Sequence, residues 1–87
     1  MKGVHEQLFS TILKIKDVEE CKQFFLDLCT MKELDSMTQR VVAAKLLLDG
    51  ETYESIIKKT DISSATLSRV SRCVKYGEGY KKILSKK

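Results

Sequence analysis

The residues whose types and spacing suggest chemistry lie on one predicted helix that begins near residue 63. Short side chains come first on its outer face and arginines follow: Ser64, Ala65, Ser68, Arg69 and Arg72. A helix that enters the DNA major groove needs small residues where it approaches the bases, and long cationic donors for guanine edges and phosphates. This order of residue types predicts a DNA-recognition helix.

The distribution of charge agrees with that prediction. Residues 51–87 contain nine Lys or Arg and four Asp or Glu, a net charge of +5, whereas residues 1–50 contain seven and eight, a net charge of −1. Because the excess positive charge lies with the predicted recognition helix, we expect nucleic acid as the partner of that part. The predicted DNA-binding residues are Ser63, Ser64, Ala65, Thr66, Ser68, Arg69, Arg72, Lys58 and Lys75.

Arrangements typical of catalysis or metal binding are not apparent in the sequence. The single histidine, His5, has no second ligand at a metal-binding spacing, and the cysteines form no C-x-x-C pair. A Ser/His/Asp arrangement and a phosphate-binding glycine loop are also missing. We therefore expect a protein that is not an enzyme and holds no metal. The three cysteines are expected to be small buried residues of a cytoplasmic protein.

Two short helices joined by a tight turn must hold the recognition helix, and they occupy residues 52–76. Thr52 caps the first helix, YESIIKKT, and Ser63 caps the second, SATLSRVSRCVKYG. Asp61 occupies the turn position, where the backbone is left-handed and Asp is tolerated. The apolar side chains spaced to meet in a small shared core are Ile56, Ile62, Leu67 and Val70.

Helical periodicity predicts two further helices at the start of the chain. Asp17 followed by Glu20 forms a predicted capping box that opens the second of them. The apolar stripe of the first helix is Val4, Leu8, Ile12 and Ile15. The residues expected to be buried by the second are Cys21, Phe24, Phe25 and Leu28.

A third predicted helix starts at Ser36, with Gln39 as the reciprocal cap, and ends at Gly50, which suits a left-handed residue. Its predicted inner face consists of Met37, Val41, Ala44 and Leu48. Val42, Leu46 and Leu47 widen the apolar surface, and a helix this apolar is normally buried on most sides. A short basic helix around residues 80–86 follows Gly77 and Gly79. The predicted class is all-α, with about six helices.

The length of 87 residues allows a single domain whose own hydrophobic core is marginal, so we expect a second copy to complete it. In that domain, residues 1–50 form the dimerisation core, 52–76 the helix-turn-helix and 79–87 a short C-terminal helix. No apolar stretch approaches the ~20 residues that span a bilayer, and the N-terminus has no cleavage site of a signal peptide. We expect no membrane partner.

The string D-I-S-x-x-T-L-S-R-V is close to G-V-S-x-x-T-V-S-R-V, a common bacterial helix-turn-helix signature. Ile57 departs from such motifs, which usually have a small residue there. Over Ser36–Gly77, through T-Q-R-V-V-A-A-K-L-L-L-D-G-E and A-T-L-S-R, the chain resembles the tryptophan repressor family, and particularly its YerC/YecD-type relatives. The resemblance implies six helices in an interlocked homodimer, with the first three helices and the last shared between subunits.

The resemblance also implies a position for a small effector. The two arginines that sandwich the corepressor indole in the family match Arg40 and Arg69. Val70 stands where tryptophan-binding members have glycine and fills space that the indole needs, and Cys73 replaces a serine that serves the ligand's ammonium. L-tryptophan is therefore disfavoured, and a different small-molecule corepressor or none remain. Arg40 could instead pair with an acidic residue such as Asp35, and Arg69 could contact phosphate.

Sequence alone therefore predicts a homodimeric, sequence-specific DNA-binding regulator, with repression as the expected direction, that binds double-stranded DNA at a pseudo-palindromic operator. Two alternatives remain open. One is a dimeric helical adaptor that uses the same two helices to bind a protein such as a polymerase subunit. The other is a repressor that responds to a tryptophan-like small molecule.

Overall fold

Six α-helices make up the computed structural model, which describes residues 3–86. The helices are α1 (Val4–Ile12), α2 (Val18–Leu28), α3 (Met31–Leu48), α4 (Tyr53–Thr60), α5 (Ser64–Tyr76) and α6 (Gly79–Leu84). No strand occurs within residues 3–86, and the predicted all-α class is confirmed. Residues 1, 2 and 87, which belong to the predicted 1–50 and 79–87 segments, lie outside the described residues.

The chain divides into two compact units, the first ending at Leu34 and the second beginning at Asp35. In the first unit Asp17 caps α2, because its carboxylate accepts a hydrogen bond from the Glu20 amide at 2.8 Å. Glu20 Oε1 in turn accepts a hydrogen bond from the Lys16 amide at 3.0 Å. The predicted cap is therefore present, with its return bond one residue before the usual position.

The apolar side chains of α1 and α2 are not enclosed within the chain. No residue of either helix is fully buried, and Val4, Leu8 and Leu28 are 38%, 39% and 48% exposed. The expected burial of Cys21, Phe24 and Phe25 is only partial, and these residues are half-buried. Two helices alone cannot surround a side chain on all sides.

The predicted first helix was too long, because α1 ends at Ile12 and Ile15 lies beyond it. The expected burial of the cysteines was also wrong: Cys21 and Cys29 are half-buried and Cys73 is exposed. Phe24 and Phe25 meet edge to face, with their ring centroids 5.6 Å apart.

The start of α3 differs from the prediction by more than a helical turn. Thr30 and Glu33 form a reciprocal capping box: the Thr30 amide donates to Glu33 Oε1 at 2.8 Å, and the Glu33 amide donates to Thr30 Oγ1 at 3.1 Å. The predicted start at Ser36 was wrong, because both pairs fit the same pattern and no helix breaker lies between them. The backbone and side-chain hydrogen bonds with Thr30 lower the pKa of Glu33.

The second unit has a small, closed hydrophobic core. Its members are at most 8% exposed and come from α3, α4, α5 and the turn between the last two: Ala43, Ala44, Ile56, Ile62, Leu67, Val70 and Val74. The four residues predicted to form a shared core, Ile56, Ile62, Leu67 and Val70, are all within it. This core fixes the relation of α4 to α5.

The buried face of α3 is narrower than predicted. Ala43 and Ala44 are fully buried, whereas Val41 and Val42 are 46% and 42% exposed. Of the predicted inner face, only Ala44 is fully buried, and Met37 and Leu48 are half-buried. Alanine has no side chain beyond Cβ, so α3 contributes only small groups to the closed core, and the larger Val41 and Val42 remain outside it.

Two glycines set helix ends in the second unit. Gly50 has φ +87°, the left-handed conformation predicted for the end of α3. At Gly77 a Cβ atom would lie 2.7 Å from the carbonyl oxygen of Cys73, too close for any side chain. Gly77 is the C-cap of α5, which ends at Tyr76, and its extended conformation there leaves room for no side chain.

Candidate nucleic-acid interface

The first helix of the pair, α4, is held at its start by an N-cap and a carboxylate. Thr52 Oγ1 accepts a hydrogen bond from the Ser55 amide at 3.2 Å. Glu51 Oε1 accepts from Lys59 Nζ at 2.6 Å and from Ser55 Oγ at 2.7 Å. The hydrogen bonds from Lys59 and Ser55 lower the pKa of Glu51. Lys59 is thereby occupied within the protein, whereas its neighbour Lys58 is exposed.

The turn between α4 and α5 has the predicted left-handed residue. Asp61 adopts φ 60° and ψ 17°, and its amide donates to the carbonyl of Ile57 at 2.9 Å. Thr60 Oγ1 donates to the carbonyl of Ile56 at 2.7 Å and accepts from the Ile62 amide at 3.2 Å. These bonds satisfy the backbone groups that the sharp change of direction would otherwise leave unpaired.

Gln39 connects this turn to α3. Its Nε2 donates to the carbonyl of Thr60 at 3.2 Å in a partly buried contact. The prediction that Gln39 caps the start of α3 was therefore wrong, because the residue lies in the middle of that helix and acts across the core. The sequence could not show this role, since the two bonded residues are 21 positions apart.

The second helix, α5, begins with a strong cap. Ser63 Oγ accepts a hydrogen bond from the Thr66 amide at 3.2 Å and donates to Thr66 Oγ1 at 2.8 Å. Both residues belong to the predicted DNA-binding set, and both hydroxyl groups are engaged in the cap. The cap satisfies a backbone amide at the start of α5, and the burial of Leu67 and Val70 anchors the inner face of the helix in the core.

The outer face of α5 is open to solvent along its length. The predicted contact residues on this face are all exposed: Ser64, Ala65, Ser68, Arg69, Arg72 and Lys75. The ion pairs found within residues 3–86 join Lys45 to Asp49 and Lys59 to Glu51. The cations of α5 therefore have no carboxylate partner among the described residues and are available to an external anion.

Three side chains next to this face were not in the predicted set. Tyr53, Ser71 and Tyr76 share a shallow groove with Ser68, Arg72 and Lys75. The residues on α5 recur at spacings of three and four, which is a signal that the sequence does contain. The place of Tyr53 could not be predicted, because it comes from α4 and depends on how the two helices pack.

The four residues of the predicted effector pocket have different environments. Arg40 is half-buried, and its Nε donates to the carbonyl of Ser36 at 3.4 Å rather than to Asp35. Val70 is 2% exposed, so its side chain is taken up by the core. Arg69 and Cys73 are exposed.

Cys73 lines an apolar groove that neither Arg40 nor Arg69 reaches. The residues around it are Val41, Cys73, Gly77, Gly79, Tyr80, Ile83 and Leu84. Within residues 3–86 no cluster of His, Cys, Asp or Glu could hold a metal ion. In the same stretch, no helix combines the length and the apolarity that a membrane crossing requires.

Comparison with known proteins gives one consistent family. The family model of the Trp repressor protein matches residues 4–87. The "Uncharacterized protein YerC" of Bacillus subtilis (strain 168) is 51% identical over 72 residues, which cover 83% of this chain and 69% of that protein.

Two crystal structures have the same fold. A protein from Staphylococcus aureus described as a candidate Trp repressor superposes with a TM-score of 0.91 at 41% identity, covering 97% of this chain and 85% of that one. A TrpR-like protein from Eubacterium eligens ATCC 27750 superposes with a TM-score of 0.86 at 47% identity, covering 90% and 81%.

Proposed function

Because the chain belongs to the Trp repressor family of helix-turn-helix transcription regulators, we propose that it binds double-stranded DNA as a homodimer at a pseudo-palindromic operator. One observation carries the proposal. The helix α5, whose inner face is buried in the core, presents to solvent an outer face of short side chains followed by arginines without carboxylate partners among the described residues. A helix of this kind matches the needs of major-groove entry.

The proposed contacts divide by position along the motif. Ser64, Ala65, Ser68 and Arg69 face base edges, where a bidentate arginine would select guanine. Arg72, Lys58 and Lys75 contact phosphates and orient the duplex. The start of α5, with Ser63 and Thr66, lies against a phosphate through its positive end. Each of the nine positions remains a proposal that variants must test.

Homodimerisation is proposed from the exposed apolar surface of the first unit. Phe9, Leu13 and Val18 are 55%, 85% and 75% exposed. Exposed apolar side chains grouped on a small protein indicate a surface that binds another molecule. A second copy that interlocks with this surface would bury it and would also set the two recognition helices ~34 Å apart, one helical turn of DNA. Such a dimer would read two half-sites.

Regulation by L-tryptophan is not part of the proposal. Val70 fills the position where tryptophan-binding relatives have glycine, and its side chain belongs to the closed core. Cys73 cannot supply the hydroxyl group that an ammonium would need. We propose a repressor that responds to a different small molecule or to none.

Retention of genomic fragments by the purified protein, followed by sequencing, tests the proposed function. We expect enrichment of a two-fold-symmetric sequence, and affinity that falls by about 0.9 log units per log unit of salt for each phosphate neutralised. Failure to retain any DNA at low salt would contradict the proposal. Capture of a protein partner without DNA would favour an adaptor instead.

The Arg69→Ala variant sharpens the test. Since Arg69 is exposed and makes no ion pair in the described residues, its removal should leave the dimer folded. We expect a loss of ~1–3 kcal/mol in operator binding and relaxed sequence preference at one position. Circular dichroism and sedimentation provide the folding control. Unchanged operator affinity would remove Arg69 from the site.

A further inference from the structure

The groove shared by α4 and α5 combines donors from two elements at one place. Tyr53, the first residue of α4, faces the second half of α5. From α5 come two hydroxyls, two cations and a second phenol: Ser68, Ser71, Arg72, Lys75 and Tyr76. Every one of these side chains can donate a hydrogen bond. The groove therefore brings hydrogen-bond donors from two helices to one place.

The electrostatics of the groove favour an anion. No acidic residue lines it, and neither Arg72 nor Lys75 takes part in the ion pairs of residues 3–86. This differs from the neighbouring Lys59, whose ammonium is neutralised by Glu51 at 2.6 Å. The start of α4 adds the partial positive charge of a helix N-terminus. An anion placed here would meet two full charges and several neutral donors.

The ligand that fits best has several acceptor oxygens around one centre. We propose that the groove binds a single phosphodiester of the DNA backbone, with the hydroxyl groups of Tyr53 and Tyr76 as donors beside Arg72 and Lys75. The proposal rests on the proposed DNA binding and deepens it. It adds Tyr53, Ser71 and Tyr76 to the interface and joins them with Arg72 and Lys75 in one site.

With this site, the two halves of α5 would contact different parts of the DNA. The first half of the helix, up to Arg69, faces base edges, and the second half, from Ser71 onward, shares a phosphate with α4. Because Tyr53 belongs to α4, the phosphate would be held between two helices rather than on one. A phosphate held by both helices would fix the angle at which α5 enters the major groove of the DNA. A phosphate contact to α5 alone would not fix that angle.

Tyr53→Phe tests the phenol without changing charge. Affinity for a labelled duplex of random sequence, measured by fluorescence anisotropy, should fall about tenfold, since a hydrogen bond to a charged group is lost. The salt dependence should stay the same, because no charge is removed. Tyr80→Phe, at a half-buried tyrosine outside the groove, is the matched control and should bind like the unsubstituted protein.

A double-mutant cycle tests whether the residues share one phosphate. Arg72→Gln should weaken binding and lower the slope of log affinity against log salt by about 1. The variant that combines Tyr53→Phe with Arg72→Gln should lose much less affinity than the product of the losses in the two single variants. The reason is that both side chains bind the same phosphate.

The outcomes separate this proposal from the proposed function. No DNA binding by the unsubstituted protein would overturn both. Binding by the unsubstituted protein, with Tyr53→Phe unchanged or with fully multiplicative losses in the double variant, would overturn the groove alone. Equal losses in Tyr53→Phe and Tyr80→Phe would also overturn it. Urea unfolding of each variant checks that it is as stable as the unsubstituted protein, so that a change in affinity cannot be caused by unfolding.

Discussion

The two units of the chain differ in what they enclose. Residues 3–34 are at least as rich in apolar side chains as residues 35–86, yet none of the residues of α1 and α2 is fully buried. The second unit encloses seven side chains, four of them alanines or valines. Apolar composition therefore does not make a core by itself. A core also needs helices that approach from several directions.

This contrast separates two ways in which the protein gains stability. The second unit can hold its recognition helix in place through its own packing. The first unit leaves apolar side chains exposed, and in our proposal a second copy covers them. Disrupting the second unit should affect folding itself, whereas disrupting the first should act through association.

Leu67→Ala should have the largest effect. Leu67 is fully buried at the centre of the second unit, and removing such a side chain costs ~2–5 kcal/mol. Urea unfolding followed by circular dichroism measures the free energy of unfolding. Leu13→Ala removes the same atoms from a residue that is 85% exposed within one chain and, measured at a protein concentration at which the dimer is dissociated, should change it by less than ~1 kcal/mol. An equal loss of unfolding free energy in the two leucine variants would contradict the proposed difference between the units.

Phe9→Ala should act on association. Phe9 is 55% exposed within the chain, and its burial by a partner would contribute on the order of 1.5 kcal/mol or more. The dimer dissociation constant, measured by analytical ultracentrifugation, should therefore rise at least about tenfold. Gln7→Ala on the same helix is the control. A Phe9→Ala protein that stays as dimeric as the original would place the interface elsewhere.

Gln39→Ala should have a moderate and local effect. The variant removes the hydrogen bond to the Thr60 carbonyl, worth ~1 kcal/mol. Amide hydrogen exchange should become faster at residues 60–63, in the turn before α5. Gln23→Ala, at an exposed position of the first unit, should leave exchange in the turn unchanged. If both variants behaved alike, Gln39 would not position the recognition helix.

The pH dependence of stability should be the smallest of the expected effects. Each unit contains one glutamate whose pKa is lowered in the folded protein. The pKa of Glu33 is lowered by Thr30, and the pKa of Glu51 by Lys59 and Ser55. A lowered pKa means that each carboxylate stabilises the fold above its unfolded pKa, and that this stabilisation is lost as the pH falls through the lower folded value.

NMR titration of the two side chains measures both pKa values directly. Glu33→Gln and Glu51→Gln should each make stability less dependent on pH below about 4.5, the range in which free glutamate titrates. An ordinary pKa at Glu33 together with a lowered one at Glu51 would show that the capping box of the first unit does not persist in solution.

The helix-turn-helix could be predicted almost residue by residue, because its determinants are local. Thr52 and Ser63 are caps, Asp61 is the left-handed residue, and each acts on a neighbour within a few positions. The start of α3 could not be predicted, since Thr30–Glu33 and Ser36–Gln39 satisfy the same capping pattern. Choosing between them requires the energy of the whole helix rather than of its first turn.

The errors at the core and at the groove have another cause. Periodicity shows that Val41 and Ala44 share a face of α3, but not how far the neighbouring helices extend over it. Ala43 was missed for the same reason. Tyr53 reaches the α5 groove only because two helices pack at a particular angle. Features that depend on how segments distant in sequence pack together cannot be predicted from local sequence patterns.

Gly77 has a consequence for how binding specificity can change over time. The Cβ of any side chain at this position would lie 2.7 Å from the carbonyl oxygen of Cys73, so a substitution there would displace the end of α5 whatever sequence is bound. The helix α5 keeps its 13 residues, about three and a half turns. In the proposed interface, new operators would therefore be recognised by exchange of outer residues alone, while the length of the helix along the duplex stays constant.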